Sequence, residues 1–523
     1  MKRLSKRILG AATAAGLIIS LAACSTGGDN PNQSSQNDTL VAEQTFDLKT
    51  LDPARSFELS SGTIIQAVYE SALQFDNGDV TKVIPWLCDY TISADNKVVT
   101  LTMNDKYKAK FSNGDPVTID DVVFSYQRLQ GVKANPSFLL AGVTVEKTGD
   151  DTATLTSATG KAEIPFILAG IRVLNSKVVK ANGGTTDESD AAQNFLDKNT
   201  QGSGAYKVES YNPDSEVVLV ANENYAGKAP KFKRVVLKNV SGDTQLTNIQ
   251  AGQSHVAFSL NQEQIKGLDM STVQVKTLLS QRTVYIYLNT NPAVNVFTPN
   301  QDFKDAVRYA VDYDKVLELA GEGAAHIASL VPNQFLGAVP DSKAAKRDLA
   351  KAKAALAKSG YAGEVIPFNY DSQQNVGGLS VAKLAEALHA QLKEAGINIE
   401  LKPAAGTAQL DGYRSGNHSM GIGAWGADFP DPADYLVFVP GASVAKRVQW
   451  GADANAEVTA LVHAAEAATG DARGPAYTKL YEKVTEVGPF IPLVQPAQSV
   501  VVNKSIKKFV STVDRTFEFS KAE

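Results

Sequence analysis

Phe111-Ser-Asn-Gly-Asp-Pro-Val-Thr-Ile-Asp-Asp-Val-Val-Phe-Ser-Tyr-Gln-Arg128 states its own local structure from one end to the other. Asn113-Gly114 makes a turn, because Gly takes positive φ without a steric cost. Thr118 is placed to cap a helix, and Asp121, three residues on, supplies the carboxylate of a capping-box variant. Val122, Val123 and Tyr126 form the apolar stripe of that helix.

Outward from this stretch the chain alternates strand and helix signals. Leu40 to Phe46 reads as a strand, Leu51-Asp-Pro53 as a turn, and Val98 to Met103 as a second strand. Ile64, Ile65, Val68, Ala72 and Leu73 have helical spacing, which predicts a helix over Thr63 to Leu73. Gly202-Ser-Gly-Ala-Tyr-Lys-Val208 runs into Val217 to Val220 and then Asn222-Glu-Asn-Tyr225. Tyr285-Ile-Tyr-Leu-Asn-Thr-Asn291 precedes an amphipathic segment from Phe303 to Asp312. Asp348 to Ser359 is a helix stopped by Gly360, and Leu384 to Gly396 is another. The alternation from 283 to 402 is that of an α/β lobe.

The segment 111–128, with Phe, Gly and Pro ahead of a Thr-capped Asp-Val-Val helix, resembles the signature of the family 5 solute-binding proteins of ABC importers. The later motifs follow in that family's order, so the similarity spans roughly Leu40 to Val513. It implies a two-lobed α/β fold of the periplasmic-binding-protein type, with two hinge crossings and a subdomain inserted in the N-terminal lobe. Mapped here, lobe I takes 39–64, 200–288 and 492–523, the insert 65–199, and lobe II 289–491.

Gly421-Ile-Gly-Ala-Trp-Gly-Ala-Asp-Phe-Pro-Asp-Pro432 is the candidate site. An acidic side chain among apolar neighbours is costly to bury unless a cation or several donors meet it. Asp428 is therefore a candidate ligand contact, or alternatively a cap on the Pro430-Asp431-Pro432 turn. Gly423 and Gly426 leave the backbone open to close approach. The glycines also spell G-x-G-x-x-G, but that fingerprint needs a following helix for the pyrophosphate, and Phe429-Pro-Asp-Pro432 forbids one.

The family resemblance assigns roles to these positions. Asp428 would accept the α-ammonium of a bound peptide, and Trp425, Gly426 and Ala427 would offer main-chain groups or a stacking face. Phe57 and Glu58 would present the opposing strand, and Tyr285 would line the cleft beside the first crossing. The resulting expectation is a receptor that captures an oligopeptide between lobes and delivers it to an ABC permease, with no catalysis, cofactor or metal. An oligosaccharide or peptide pheromone is the alternative ligand, and a secreted hydrolase is a distant one.

The N-terminus fixes the compartment. Lys2, Arg3, Lys6 and Arg7 precede an apolar run from Ile8 to Ala23, too short for a membrane span and right for a secretory leader over 1–23. Leu21-Ala-Ala-Cys24 resembles the lipobox of bacterial lipoproteins, which implies lipidation of Cys24. Residues 24–38 are the lipidated cysteine and a polar tether. The expected address is the extracytoplasmic face of the cell membrane, and the expected state a monomer.

Composition excludes other classes. At 523 residues, 43% of them hydrophobic, the chain holds more than one core. Removing the leader leaves 47 of the 51 basic residues against 56 acidic ones, a balance of −9, which argues against nucleic acid. Only Cys88 remains besides Cys24, so no intrachain disulfide joins the mature fold, and Cys88 beside Trp86 and Leu87 reads as a small buried hydrophobe. Ser380-Val-Ala-Lys383, Ser443-Val-Ala-Lys446 and Lys147-Thr-Gly149 match fragments of serine β-lactamase motifs in the wrong order. The five histidines are scattered without a zinc-ligand pair. His418, close to the candidate site, is expected to be an exposed loop imidazole.

Overall fold

Three sheets, each packed on its own apolar core, organise the chain. The first has seven strands in the order Val273–Leu279, Ala497–Asn503, Val256–Ala257, Thr39–Gln44, Arg234–Asn239, Glu216–Ala221 and Tyr206–Asn212. Thr39–Gln44 is parallel to both neighbours and the outer pairs are antiparallel. The second sheet has five strands, Ile399–Ala404, Ile366–Asp371, Met420–Gly426, Arg282–Leu288 and Phe490–Val494. Helices Gln301–Ala310, Leu349–Lys358 and Val381–Ala395 supply side chains to its core. The third sheet, four antiparallel strands between Cys88 and Ser157, falls in sequence between strands of the first. These are features of a computed structural model describing residues 38–523. The leader 1–23, Cys24 and the tether up to residue 37 lie outside the described residues.

The stretch 111–128 folds as its residues dictate. Gly114 has φ +91° in the turn, and helix Ile119–Gly131 follows Thr118. Asp121 accepts the Thr118 N–H at 2.9 Å and its hydroxyl at 2.7 Å, and its other oxygen accepts the Ser176 N–H at 2.8 Å. The cap thus also fastens the helix to the chain that returns toward the first sheet. Arg128 at the far end is fully buried, where Asp52 and Asp190 grip it. Cys88 is buried against Met103, and burial pushes its thiol up to about 12.

One helix differs from its expected span. Instead of Thr63 to Leu73 it covers Leu59–Val68. Tyr69 turns extended at φ −120°, and the Ala72 carbonyl accepts the Trp86 and Cys88 N–H groups at 3.2 and 3.0 Å. The apolar residues at 72 and 73 fit helical spacing, but the hairpin claims them: Leu73 opens strand Leu73–Asp76.

The chain passes between the first two sheets twice. Ser280-Gln281 separates Val273–Leu279 from Arg282–Leu288, and Gln495-Pro496 separates Phe490–Val494 from Ala497–Asn503. Strand Arg282–Leu288, expected to close lobe I at 288, therefore pairs with the second sheet, as do residues 492–494. The crossings lie side by side: the Ser280 N–H donates to the Pro496 carbonyl at 3.0 Å, and Gln495 Nε2 donates to the Ser280 carbonyl at 2.6 Å. Gln334 Nε2 reaches the same carbonyl at 3.0 Å. Two short, cross-linked connections of this kind are the geometry of a hinge, in which a few residues absorb the rotation.

Candidate functional site

A cavity of about 840 Å³ is walled by both sheets. Gln44 and Ser499 reach it from the first sheet, Arg282 and Gly426 from the second. Its volume lies in the range of small-ligand pockets, which concentrate at domain boundaries.

Strand Met420–Gly426 reaches the cavity at its last residues. Its glycines are explained by the neighbouring strand. Gly421, Gly423 and Gly426 lie opposite Tyr287, Tyr285 and Arg282. A Cβ on Gly423 would fall 2.4 Å from the Tyr285 ring, and one on Gly421 2.1 Å from the Asn369 carbonyl of the strand on its other side and 2.5 Å from the Tyr287 hydroxyl. At Gly426 the nearest atom would be Arg282 Cγ at 3.2 Å. The close approach anticipated at Gly423 and Gly426 is therefore made by aromatic rings and a guanidinium arm of the protein itself. A 3₁₀ turn, Pro432–Phe438, rather than an α-helix, follows the turn after this strand.

The turn after the strand separates two aspartates by task. Asp431 is the cap: its carboxylate accepts the Ala433 N–H at 2.9 Å and pairs with Arg473 at 2.7 and 2.5 Å. Asp428 is left facing the cavity, half-buried, and forms no ion pair among the described residues. Burial pushes its carboxyl up to about 6. Behind it Asp434 is 4% exposed and accepts the Asp428 N–H at 2.9 Å. Burial first, and then the charge of Asp428, hold Asp434 well above the usual carboxylate range. Of this pair, the more deeply buried Asp434 keeps the proton, and Asp428 presents the charge.

The cavity brings together Phe57, Glu58, Gly426, Ala427 and Asp428. Phe57 and Glu58 sit at the start of helix Leu59–Val68, with Glu58 as its N-terminal flanking residue. Tyr285 is not at the cavity: it is 1% exposed and packs edge-on against Phe438 and Phe490 at 5.5 and 5.7 Å. Tyr285 stands on the strand beside the crossing as expected, but alternation turns its ring into the lobe core. Trp425 also points away from the lining, edge-on to Phe438 at 5.6 Å with Arg447 over its ring at 5.7 Å. His418 is half-buried and holds the Tyr287 hydroxyl at 3.0 Å.

Two arginines complete the site and were not anticipated. Arg282 lines the cavity with a buried Nε that has no partner, and burial lowers its pKa. Arg172 lines it too, and among the described residues its guanidinium hydrogen-bonds the Ser71 hydroxyl at 3.3 Å; burial, then Arg515 nearby, lower its pKa to about 10 against the opposing charge of Asp514. A single arginine opening the apolar run Thr-Val-Tyr-Ile-Tyr-Leu288 was a visible signal. Arg172 had none, because only the tertiary fold brings the insert to the cavity.

A model of the bacterial extracellular solute-binding proteins, family 5 middle, matches residues 82–445. The chain belongs to this family. As a member of this family it is an extracellular solute-binding protein. It is 27% identical over 496 residues to the probable D,D-dipeptide-binding periplasmic protein DdpA of Escherichia coli, covering 90% of this chain and 91% of that one. It is 23% identical to the E. coli periplasmic murein peptide-binding protein MppA, covering 95% of each. In fold it matches the ABC transporter substrate-binding protein CtaP of Listeria monocytogenes with a TM-score of 0.81, covering 92% of this chain and 98% of that one at 20% identity. The two-lobed α/β architecture follows.

Proposed function

We propose that this family 5 protein is a lipid-anchored receptor that captures oligopeptides in its interlobe cavity and hands them to a membrane permease for import. One observation carries the reading. A carboxylate, Asp428, and two guanidiniums, Arg282 and Arg172, face one cavity without a salt bridge among the described residues, Asp514 acting on Arg172 only through its field. Isolated buried charges are expensive, and a peptide with free termini supplies both missing signs. Asp428 takes the α-ammonium in a charge-assisted bond, and an arginine takes the carboxylate. Gly426, Ala427, Phe57 and Glu58 line the peptide's path. Dipeptide- and murein-peptide-binding relatives support this ligand class. The Trp425 stacking face on which an oligosaccharide would depend is occupied by Phe438 and Arg447.

Delivery follows from closure about the paired crossings, in which ligand touching both lobes stabilises the closed form. The lipobox at Cys24 supports the anchor. Thermal shift against a peptide pool and an oligosaccharide pool tests the reading: a ligand at 100 times its Kd adds ~2.7 kcal/mol. Stabilisation by the peptide pool is expected; stabilisation by the sugars alone would overturn it.

A further inference from the structure

The basic residues of this acidic chain gather in one place. Lys228-Ala-Pro-Lys-Phe-Lys233 and Lys504-Ser-Ile-Lys-Lys508 each carry three lysines and no acid. The C-terminal segment holds the two runs side by side. The Tyr206 hydroxyl donates to the Phe232 carbonyl at 2.9 Å and reaches the Phe519 carbonyl at 3.4 Å, and the Lys507 and Lys508 N–H groups donate to the Glu523 carbonyl at 2.6 and 3.1 Å. Between the runs lies a cavity of about 540 Å³. Lys228, Lys507, Lys508 and Lys521 rim it, and Tyr225, Phe509 and Val510 form an apolar wall.

Two glutamates answer these four lysines. Glu523 takes Lys228 at 2.6 Å and Lys508 at 3.5 Å; Glu518 takes Lys521 at 3.6 Å and is shared with Arg515 at 3.3 Å. Lys507 Nζ donates to the Lys504 carbonyl at 2.9 Å. Pairs this exposed are weak, with Lys228 84% and Lys508 77% open to water. Counting an α-carboxylate on Glu523 as well still leaves the positive charge in excess. Lysines around an apolar wall suit an anionic amphiphile, its phosphate on the ammonium groups and its first carbons on the rings.

The place of the cavity in the chain says which amphiphile. Arg234, next after Lys233, pairs with Thr39, and its N–H donates to the Asp38 carbonyl at 3.1 Å. Asp38 is fourteen residues from Cys24, a span of at most about 50 Å. The interlobe cavity lies at the other end of the same strand, where Gln44 lines it, about 17 Å along from Thr39. We infer that the lysine-rimmed cavity takes the headgroup of an anionic phospholipid and docks this end of the first sheet on the membrane that carries the anchor. The inference rests on the lipid anchor proposed above. A chain of acidic balance is repelled by an anionic surface except where its basic residues gather, so the docking also fixes which face meets the membrane.

The full chain, reconstituted into vesicles of phosphatidylcholine alone or of phosphatidylcholine and phosphatidylglycerol in equal parts, supplies the test. Flotation confirms attachment, and brief acetylation read by mass spectrometry reports each lysine. A lysine near an anionic surface is worth about fivefold in binding. Lys228, Lys507, Lys508 and Lys521 should therefore be labelled at least about fivefold more slowly on the anionic vesicles, and salt at about 1 M should erase the difference. Lys353 and Lys358, exposed on the second lobe, should be labelled alike on both. Changing Lys507→Gln and Lys508→Gln together should restore labelling of Lys228 and Lys521 and leave peptide affinity unchanged. Equal labelling on the two vesicles would overturn the lipid site and leave the anchor standing. Equal protection by soluble glycerol phosphate on neutral vesicles would make the cavity a solute site and overturn the docking. A chain that floats with neither vesicle would remove the anchor and the docking with it.

Discussion

Arg128 and Asp428 are both charged side chains withdrawn from water, and they differ in company. Arg128 donates to Asp52 at 2.7 and 2.6 Å and to Asp190 at 2.8 and 2.9 Å, and Arg55 braces both carboxylates from outside at 2.8 and 2.7 Å. The cluster ties the turn at Leu51-Asp-Pro53, the signature helix and the segment around residue 190 into one knot. Asp428, Arg282 and Arg172 have no such closure. A charge cluster that satisfies itself is part of the scaffold, and one that stays open in a cavity is, on the function proposed above, the part that meets the ligand.

The largest effect should come from opening the closed cluster. Arg128→Ala leaves the buried Asp52 and Asp190 to share Arg55 alone and strips them of four hydrogen bonds, a loss of about 3–5 kcal/mol in unfolding free energy. Denaturant titration followed by circular dichroism measures it, and a change below ~1 kcal/mol would mean that water reaches the carboxylates.

The two clusters should also respond to pH with opposite signs. Burial opposes ionisation of Asp190, but Arg128 outweighs it and, with Arg55, holds the carboxyl down at about 2. Its folded value is below the unfolded ~3.9, so its contribution is complete above that value and is lost as pH falls toward 2. Asp428, raised to about 6, behaves the other way. The free protein gains stability at this site as pH falls from about 6 toward ~4, because protonation relieves a buried charge. Peptide affinity should fall over the same window, by up to about tenfold per pH unit below 6. Titration calorimetry between pH 4.5 and 8 checks this, and flat affinity would detach Asp428 from the ligand.

The smallest effect belongs to the rim. Lys383 Nζ and Glu263 join the second lobe to the first at 2.6 Å, both more than half exposed. Lys383→Ala should cost at most ~1 kcal/mol in peptide affinity and nothing at high salt, since exposed pairs are weak and screened. A larger, salt-independent loss would make this pair a structural latch.

Much of the fold was legible because local chemistry and global topology agree in it. The turn and Thr118–Asp121 cap need only neighbouring residues, and Gly360 and Gly396 end their helices at φ +76° and +95°. Helix Leu59–Val68 was misplaced because Ala72 and Leu73 fit a helical period while pairing in a hairpin. At the site, Asp428 stood out by its apolar neighbours. Tyr285 and Trp425 were drawn to the cavity by proximity in sequence, yet alternation along paired strands points both into the lobe core. Asp434 and Arg172 reach the site only through tertiary packing, which no short stretch records.

The most direct measurement is a double-mutant cycle by calorimetry, pairing wild type and Asp428→Asn with one peptide carrying a free or an acetylated N-terminus. Each change alone should cost about 1.5–3 kcal/mol, the worth of a hydrogen bond between charged groups, and the two together little more than one. Full affinity of the acetylated peptide for wild type, or costs that simply add, would contradict the pairing of Asp428 with the peptide's ammonium.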